Sequence, residues 1–350
     1  MTSTSRRLAR QPAAARPVVT VGGAADLVAT VPHLFGFHPA ASLVVLGLRP
    51  PRSRVGGGMR VDLVGPPGGQ LSDRGLAEHV SRVLRGTFTE SLVVVYGDEP
   101  GRSPGGPLLL PHRRLVLEVD RAMSGRGAPV RESVLVAAGR WWSYDCSLSS
   151  CCPAEGTPVG GQKAPSALAT QLAVELGAPL PSRDAVVASL AATVPLLFPA
   201  EVDAALDRCD RLPVEDLLAC VRRRQQSVLD RGSGAEATRP EAAELIALVQ
   251  HVLVRDEVIT EIAPADLDAA VLLWSQLLRW APPGTVSQTG AVLAGLAHAA
   301  GDGVLARTAV ERALAADPGH RLALLQLQCL QNGIGPAELA PPRRERRDRH

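Results

Sequence analysis

SLVVVYG, residues 91–97, is the stretch on which the fold reading turns. It is apolar at consecutive positions, carries three valines and closes on a glycine, so it is too short for a helix and suits a strand. A run without polar alternation belongs to a strand covered on both faces. Three other runs share this character: SLVVLGL (42–48), MRVDLVG (59–65) and ESVLVAAG (132–139). Between the second and third lies SDRGLAEHVSRVLRG, where Ser72 is placed to cap and Leu76, Val80, Val83 and Leu84 recur at helical spacing. Between the third and fourth, HRRLVLEVDRAMSG puts Leu115, Val119 and Met123 on one helical face. The order β-β-α-β-α-β predicts an α/β domain, a mixed sheet with helices, over 18–160. The connection LRPPRSRVGGG is long for a hairpin, which leaves antiparallel pairing of the first two strands open.

Beyond residue 160 the strand signal stops. Helical patterns fill 164–176, 182–193, 199–211, 214–231, 240–262, 264–280, 286–300, 304–316 and 321–331, with Pro or Gly at nearly every break. RGSGAEATR (231–239) is the most linker-like segment among them. The expectation is an all-α domain over 161–336, flanked by a disordered lead-in (1–17) and a charged disordered tail (337–350). Setting Pro318 as the close of a 34-residue unit places Leu293, Ala294, Ala306 and Ala313 on the small and leucine positions of a tetratricopeptide repeat. Gly290 and Ala297 stand where that pattern wants aromatic residues, so 286–320 reads as one tetratricopeptide-like helical hairpin rather than a solenoid.

The 350 residues are 46% hydrophobic and 21% charged, with a net charge of +2, so large cores are affordable and the basic footprint of a nucleic-acid binder is missing. No apolar run reaches the roughly 18 residues of a membrane span, and Pro12 and Pro17 interrupt any secretory segment. The reading is cytoplasmic, with six cysteines kept mostly reduced. Lys163 is the only lysine, so Schiff-base or phosphate-loop chemistry rests on it alone. GTPVGGQK (156–163) has Gln162 where a phosphate loop needs its lysine and Ala164 where it needs a hydroxyl. GRSPG (101–105) matches a nucleophile-elbow string, but the prolines after Ser103 forbid the helix that the elbow requires.

The densest chemistry lies in RWWSYDCSLSSCCPAEG (140–156), which holds two of the four tryptophans and three of the six cysteines. Three readings of Cys146, Cys151 and Cys152 stay open: a packed thiol corner, a metal site for zinc, and a redox or nucleophilic thiol. Zinc would need a fourth ligand, and His38 is the candidate, with His33 and His112 behind it. Arg140 is expected to stack on Trp141 or Trp142, or to anchor an anionic ligand with Trp142. Asp98 and Glu99 follow the carboxyl end of a strand, where open α/β sheets hold ligands. In VPHLFGFHPAASLVVLGL (31–48), Pro32, Gly36 and Pro39 predict a stiff turn with Phe35 and Phe37 plugging the core.

VPHLFGFHPAASLVVLGL, RWWSYDCSLSSCCPAEGTPV and APPGTVSQTGAVLAGLAHAAGDGVLARTAVERALAADPGHRLALL resemble, in that order, the actinobacterial family called domain of unknown function 4192, over about 18–335. The positions that carry the likeness are Pro32, Gly36, Phe37, Pro39 and Ser42, then Trp142, Cys146, Cys152, Pro153 and Gly156. The resemblance implies that the cysteine corner is part of a family pattern, and it supplies no catalytic residue. The function expected is that of a non-catalytic protein binding a small molecule or a protein, not nucleic acid or membrane. The alternative is an enzyme using a reactive thiol or a Cys-bound metal at the carboxyl edge of the sheet.

Overall fold

The computed structural model describes residues 22–339, apart from 51–53, 64–70, 85–86, 103–107, 147, 149, 161–166, 194–196, 198 and 233. The chain divides into two compact units, one ending at Ser189 and one beginning at Leu190.

The first unit opens with α1 (Ala24–Phe35), continues through β1 (Ser42–Arg49), β2 (Arg54–Asp62), α2 (Asp73–Val83) and β3 (Glu90–Tyr96), and then makes a short pair, β4 (Gly101–Arg102) and β5 (Leu108–Leu109). After α3 (Arg113–Ser124) come β6 (Val130–Ala137), β7 (Arg140–Ser143) and β8 (Thr157–Pro158), and then α4 (Ala167–Leu176) and α5 (Arg183–Ser189). The main sheet has the order β2-β1-β3-β6-β7-β8, parallel only between β3 and β6. The mixed sheet with helices is therefore as the strand runs predict. Alternation sorts the buried strands into two cores. Leu43, Val45, Val93 and Val95 face α2 and α3, while Val44, Leu46, Leu48, Leu92 and Val94 face α1 and its neighbour α4. Ser72 caps α2 as expected, its hydroxyl accepting the Gly75 N–H.

Several local expectations are corrected. The first two strands, whose pairing the pattern leaves open, pair antiparallel, and β2 takes in Arg54–Gly58, which read as loop: Gly57 and Gly58 stand opposite Gly47 and Leu46, and Gly56 is the extra residue where the register shifts. Residues 24–35, unassigned from the pattern, form α1 with Pro32 inside it. Gly36, in the left-handed region at φ 74°, ends that helix, and Phe37 then enters the core at 1% exposed whereas Phe35 is only half-buried. α4 packs on α1, and the His33 ring meets the Gly177 carbonyl at 3.2 Å, so this helix sits with the sheet rather than with the later helices. Ser103 and Lys163, and the lead-in 1–17, lie outside the described residues.

The second unit holds helices and no strand among its described residues: α6 (Pro199–Cys209), α7 (Val214–Leu229), α8 (Arg239–Leu248), α9 (Val252–Thr260), α10 (Leu267–Trp280), α11 (Val286–Ala299), α12 (Gly303–Ala316), α13 (Arg321–Gln331) and α14 (Pro336–Leu339). The run 240–262, which reads as one helix, is two. His251 is extended, and the Val249 carbonyl freed at the break accepts the Gln288 amide. The linker-like 231–239 is pinned as well, because the buried Gln276 amide bonds both N–H and carbonyl of Ala237. The expected hairpin is present as α11 and α12, joined through Ala300–Asp302 with Asp302 capping α12. Gly290 explains one departure from the repeat pattern: a Cβ there would lie 3.0 Å from Ala313 Cβ and 3.1 Å from the Ala309 carbonyl, so α12 approaches too closely for an aromatic ring. α14 occupies the start of what read as a disordered tail, and 340–350 lie outside the described residues. Among the described residues, no helix is long and apolar enough to cross a membrane.

Candidate metal centre

β6 turns into β7 through Ala138 and Gly139, both at positive φ, a two-residue hairpin that pairs Ala137 with Arg140. β7 then sets the path of the chain beyond it. Trp142 is buried against the α2/α3 face, its indole N–H donating to the Ala154 carbonyl at 3.1 Å. Tyr144 is buried beside it and donates to the Pro111 carbonyl at 2.6 Å. Asp145 accepts the Ser133 N–H at 2.7 Å and the Ser133 hydroxyl at 2.9 Å, and Ser143 Oγ accepts the N–H groups of Asp145 and Cys146. The chain therefore leaves the sheet in one direction, with its polar groups satisfied.

The segment so delivered is a tight turn. The N–H groups of Cys151 and Cys152 both point at the Leu148 carbonyl, at 3.2 and 2.7 Å. The sulfur atoms of Cys146, Cys151 and Cys152 all lie within 4.8 Å of one another, and those of Cys146 and Cys151 are 3.2 Å apart. A C-x4-C-C spacing gathers three sulfurs in this way only because the turn reverses between the first cysteine and the adjacent pair. The return leg is held by Arg140, whose guanidinium donates to the Gly156 carbonyl at 2.6 Å and the Glu155 carbonyl at 3.2 Å. Gly156, at φ 78°, lies so close to Trp142 that a Cβ would meet the indole at 2.5 Å.

The three thiols are electrostatically unequal. The Leu148 N–H and then the two neighbouring sulfurs pull the Cys146 thiol below its usual value. Burial, and then the Cys146 and Cys151 sulfurs, push Cys152 up to about 12. Without a cation only one thiolate is comfortable in the cluster, since each further negative sulfur repels it.

The predicted site residues separate. Cys146, Cys151 and Cys152 come together, and no carboxylate or histidine joins them among the described residues. His38 does not lie with the three sulfurs: it is exposed, and its backbone N–H bonds the Leu180 carbonyl in the connection between α4 and α5. Arg140 does not stack on either tryptophan, because the carbonyls of the return leg offer it charge-assisted bonds; the cation–π pairs among the described residues are Arg49 with Phe88 and Arg60 with Phe37. Arg140 Nη1 and the Trp142 indole N–H are thus committed to the turn itself. Asp98 and Glu99 are exposed beyond the carboxyl end of β3, whereas β7 runs from Ala137 toward Val134 and so leads away from that edge. Pattern reading missed Ser143, Tyr144 and Asp145, which aim the turn. Their only signal was position, between the tryptophans and the first cysteine.

The family model described as Domain of unknown function (DUF4192) matches residues 25–337. The chain belongs to that family. The match to the DUF4192 model runs from α1 through α14 and takes in the cysteine turn. Searches among curated proteins and among solved structures each found no match.

Proposed function

We propose that this DUF4192 protein is a cytoplasmic, non-catalytic binding protein whose α/β unit holds a thiophilic cation, zinc foremost, on Cys146, Cys151 and Cys152. The convergence of three sulfurs within 4.8 Å carries the reading. Three thiolates at about 2.3 Å from a tetrahedral ion stand about 3.8 Å apart, and the cluster needs only small rotamer changes to reach that spacing. The cation would also supply the charge that lets Cys152 deprotonate. Cys151 is exposed, so the fourth position faces solvent, where a small molecule or a side chain of a partner protein can complete the shell. The near-neutral charge argues against nucleic acid as that partner.

A second reading rests on the 3.2 Å approach of Cys146 and Cys151. In it the Cys146 thiolate attacks a substrate disulfide, and Cys151 then displaces the second substrate sulfur. The cysteine pair loses two electrons and the substrate leaves as two thiols. The two readings part in one experiment on reduced, full-length protein. Metal analysis giving about one zinc per chain, lost in Cys146→Ser and Cys152→Ser, supports the cation site. Metal-free protein that forms a Cys146–Cys151 disulfide with a redox buffer supports exchange. Neither result would reject both.

A further inference from the structure

Within the helical unit, α7 and α9 pack together and enclose a cavity of about 230 Å³, part of it open to solvent. Its apolar wall is Val221 and Val258, both buried, with the half-buried Ile262 beside them. The polar walls differ in kind. On the α7 side stands Gln225, 8% exposed. The indole N–H of the buried Trp274 donates to Gln225 Oε1 at 2.8 Å, and because an indole only donates, this bond fixes which end of the amide is which. Gln225 Nε2 is left on the cavity side, not sealed from solvent and with no hydrogen-bond partner among the described residues. The α9 side offers acceptors, Glu257 and Glu261. Arg222 pairs with Glu257 across the rim, whereas Glu261 has no ion pair among the described residues. Glu261 is the C-cap of α9, whose last turn holds no basic residue, so this carboxylate stands at the negative end of a helix, where a donor is wanted.

We propose that this cavity binds a primary carboxamide, either free or as the glutamine or asparagine side chain of a partner protein. An unmet donor on one wall and an unmet carboxylate on the other call for a ligand group that carries an acceptor and a donor side by side. A carboxamide has both: its carbonyl accepts from Gln225 Nε2, its amide nitrogen donates to Glu261, and its alkyl stem lies on Val221, Val258 and Ile262. A carboxylate of the same shape meets the negative charge of Glu261 and is rejected, and an ammonium leaves the Gln225 donor unmet. The volume falls below the roughly 300–1,000 Å³ of a drug-sized pocket, so the site takes a fragment of this size and not a whole cofactor. The donor is preorganised, because Gln225 cannot rotate away without unpairing a buried indole. The site stands apart from the cation reading, which concerns the α/β unit alone.

Trp274 supplies a local probe. A ligand that accepts from Gln225 Nε2 polarises the amide and strengthens the bond that Oε1 receives, so the Trp274 indole N–H resonance moves on binding. Propionamide titrated into isotope-labelled, full-length protein at constant ionic strength should move that resonance saturably, with a Kd on the order of millimolar, and propionate should not. Ligand-detected saturation transfer reads the variants. Gln225→Leu should bind no propionamide. Glu261→Ala, on the exposed rim, should bind about tenfold more weakly through loss of one charge-assisted hydrogen bond, and it keeps the test available if Gln225→Leu does not fold. N-acetylglutamine methylamide separates the sources: binding tighter than propionamide assigns the site to a partner's side chain, and equal or weaker binding assigns it to a free carboxamide. Three results would overturn the proposal: no saturable shift of the Trp274 resonance, an equal response to propionate, or undiminished binding in Glu261→Ala.

Discussion

Replacing Gly156 by alanine tests the link between the indole packing and the sulfur turn. Two separable penalties arise. The backbone sits at φ 78°, where an L-residue loses about 1–2 kcal/mol. The new methyl would stand 2.5 Å and 2.6 Å from two atoms of the Trp142 indole, so the ring has to move. Trp142 is 7% exposed and bonded to Ala154, so moving it costs about 1–3 kcal/mol of packing and about 1 kcal/mol of hydrogen bond. The sum is about 3–6 kcal/mol for the α/β unit. Gly160 is the control: its φ is 84°, but nothing lies within 4 Å of a Cβ, so Gly160→Ala should lose only the backbone share of about 1–2 kcal/mol. Urea unfolding followed by circular dichroism measures both, and native-state reaction with a disulfide reagent shows whether the thiols become evenly accessible in Gly156→Ala alone. Equal losses in the two variants, with unchanged thiol kinetics, would refute the claim that the indole sets the turn.

The same geometry sets three further outcomes. At neutral pH, iodoacetamide should modify Cys146 well before Cys152, because one thiol is held low and the other is pushed up to about 12; peptide mapping by mass spectrometry reads the order, and zinc should protect both. Gly290→Val should destabilise the helical unit by about 1–3 kcal/mol through contact with Ala309 and Ala313, while leaving the unfolding of the α/β unit unchanged in calorimetry. The His320 ring accepts the Ala323 N–H on Nδ1 and faces Gln288 Oε1 with Nε2, so it caps α13 in its neutral form, and burial holds its pKa below 6.5. Since the unfolded chain then takes up a proton that the folded chain resists, the helical unit should lose stability as pH falls below about 6.5 and level off below the folded value. His320→Asn, which keeps a cap acceptor without the titration, should weaken that dependence in melts between about pH 7.5 and about pH 5.5, the remainder coming from His298, which burial also holds low.

Much of this architecture is legible along the chain. Unbroken apolar runs at 42–48 and 91–97 identify strands covered on both faces, because only a strand buries successive residues within so few positions. The helical remainder is readable from apolar spacing punctuated by Pro and Gly, and the antiparallel hairpin at 286–316 from small residues at repeat spacing. Less visible were features whose cause lies elsewhere in the chain. Pro32 reads as a break but sits within α1. The break at His251 depends on Gln288, nearly forty residues later, to satisfy the freed carbonyl.

By itself, then, the sequence determined the main strand runs and the helices between them, the succession of a sheet-bearing part by a helical part, and the presence of three cysteines within one short stretch. Each of these is set by local periodicity and composition. Only tertiary structure decided that the three sulfurs converge without His38 and that Arg140 braces a turn instead of an aromatic ring. Spacing along a chain specifies which groups are near in sequence. Which groups share a small volume, and which are left without counter-charge, depends on how turns and helix ends bring distant backbones together.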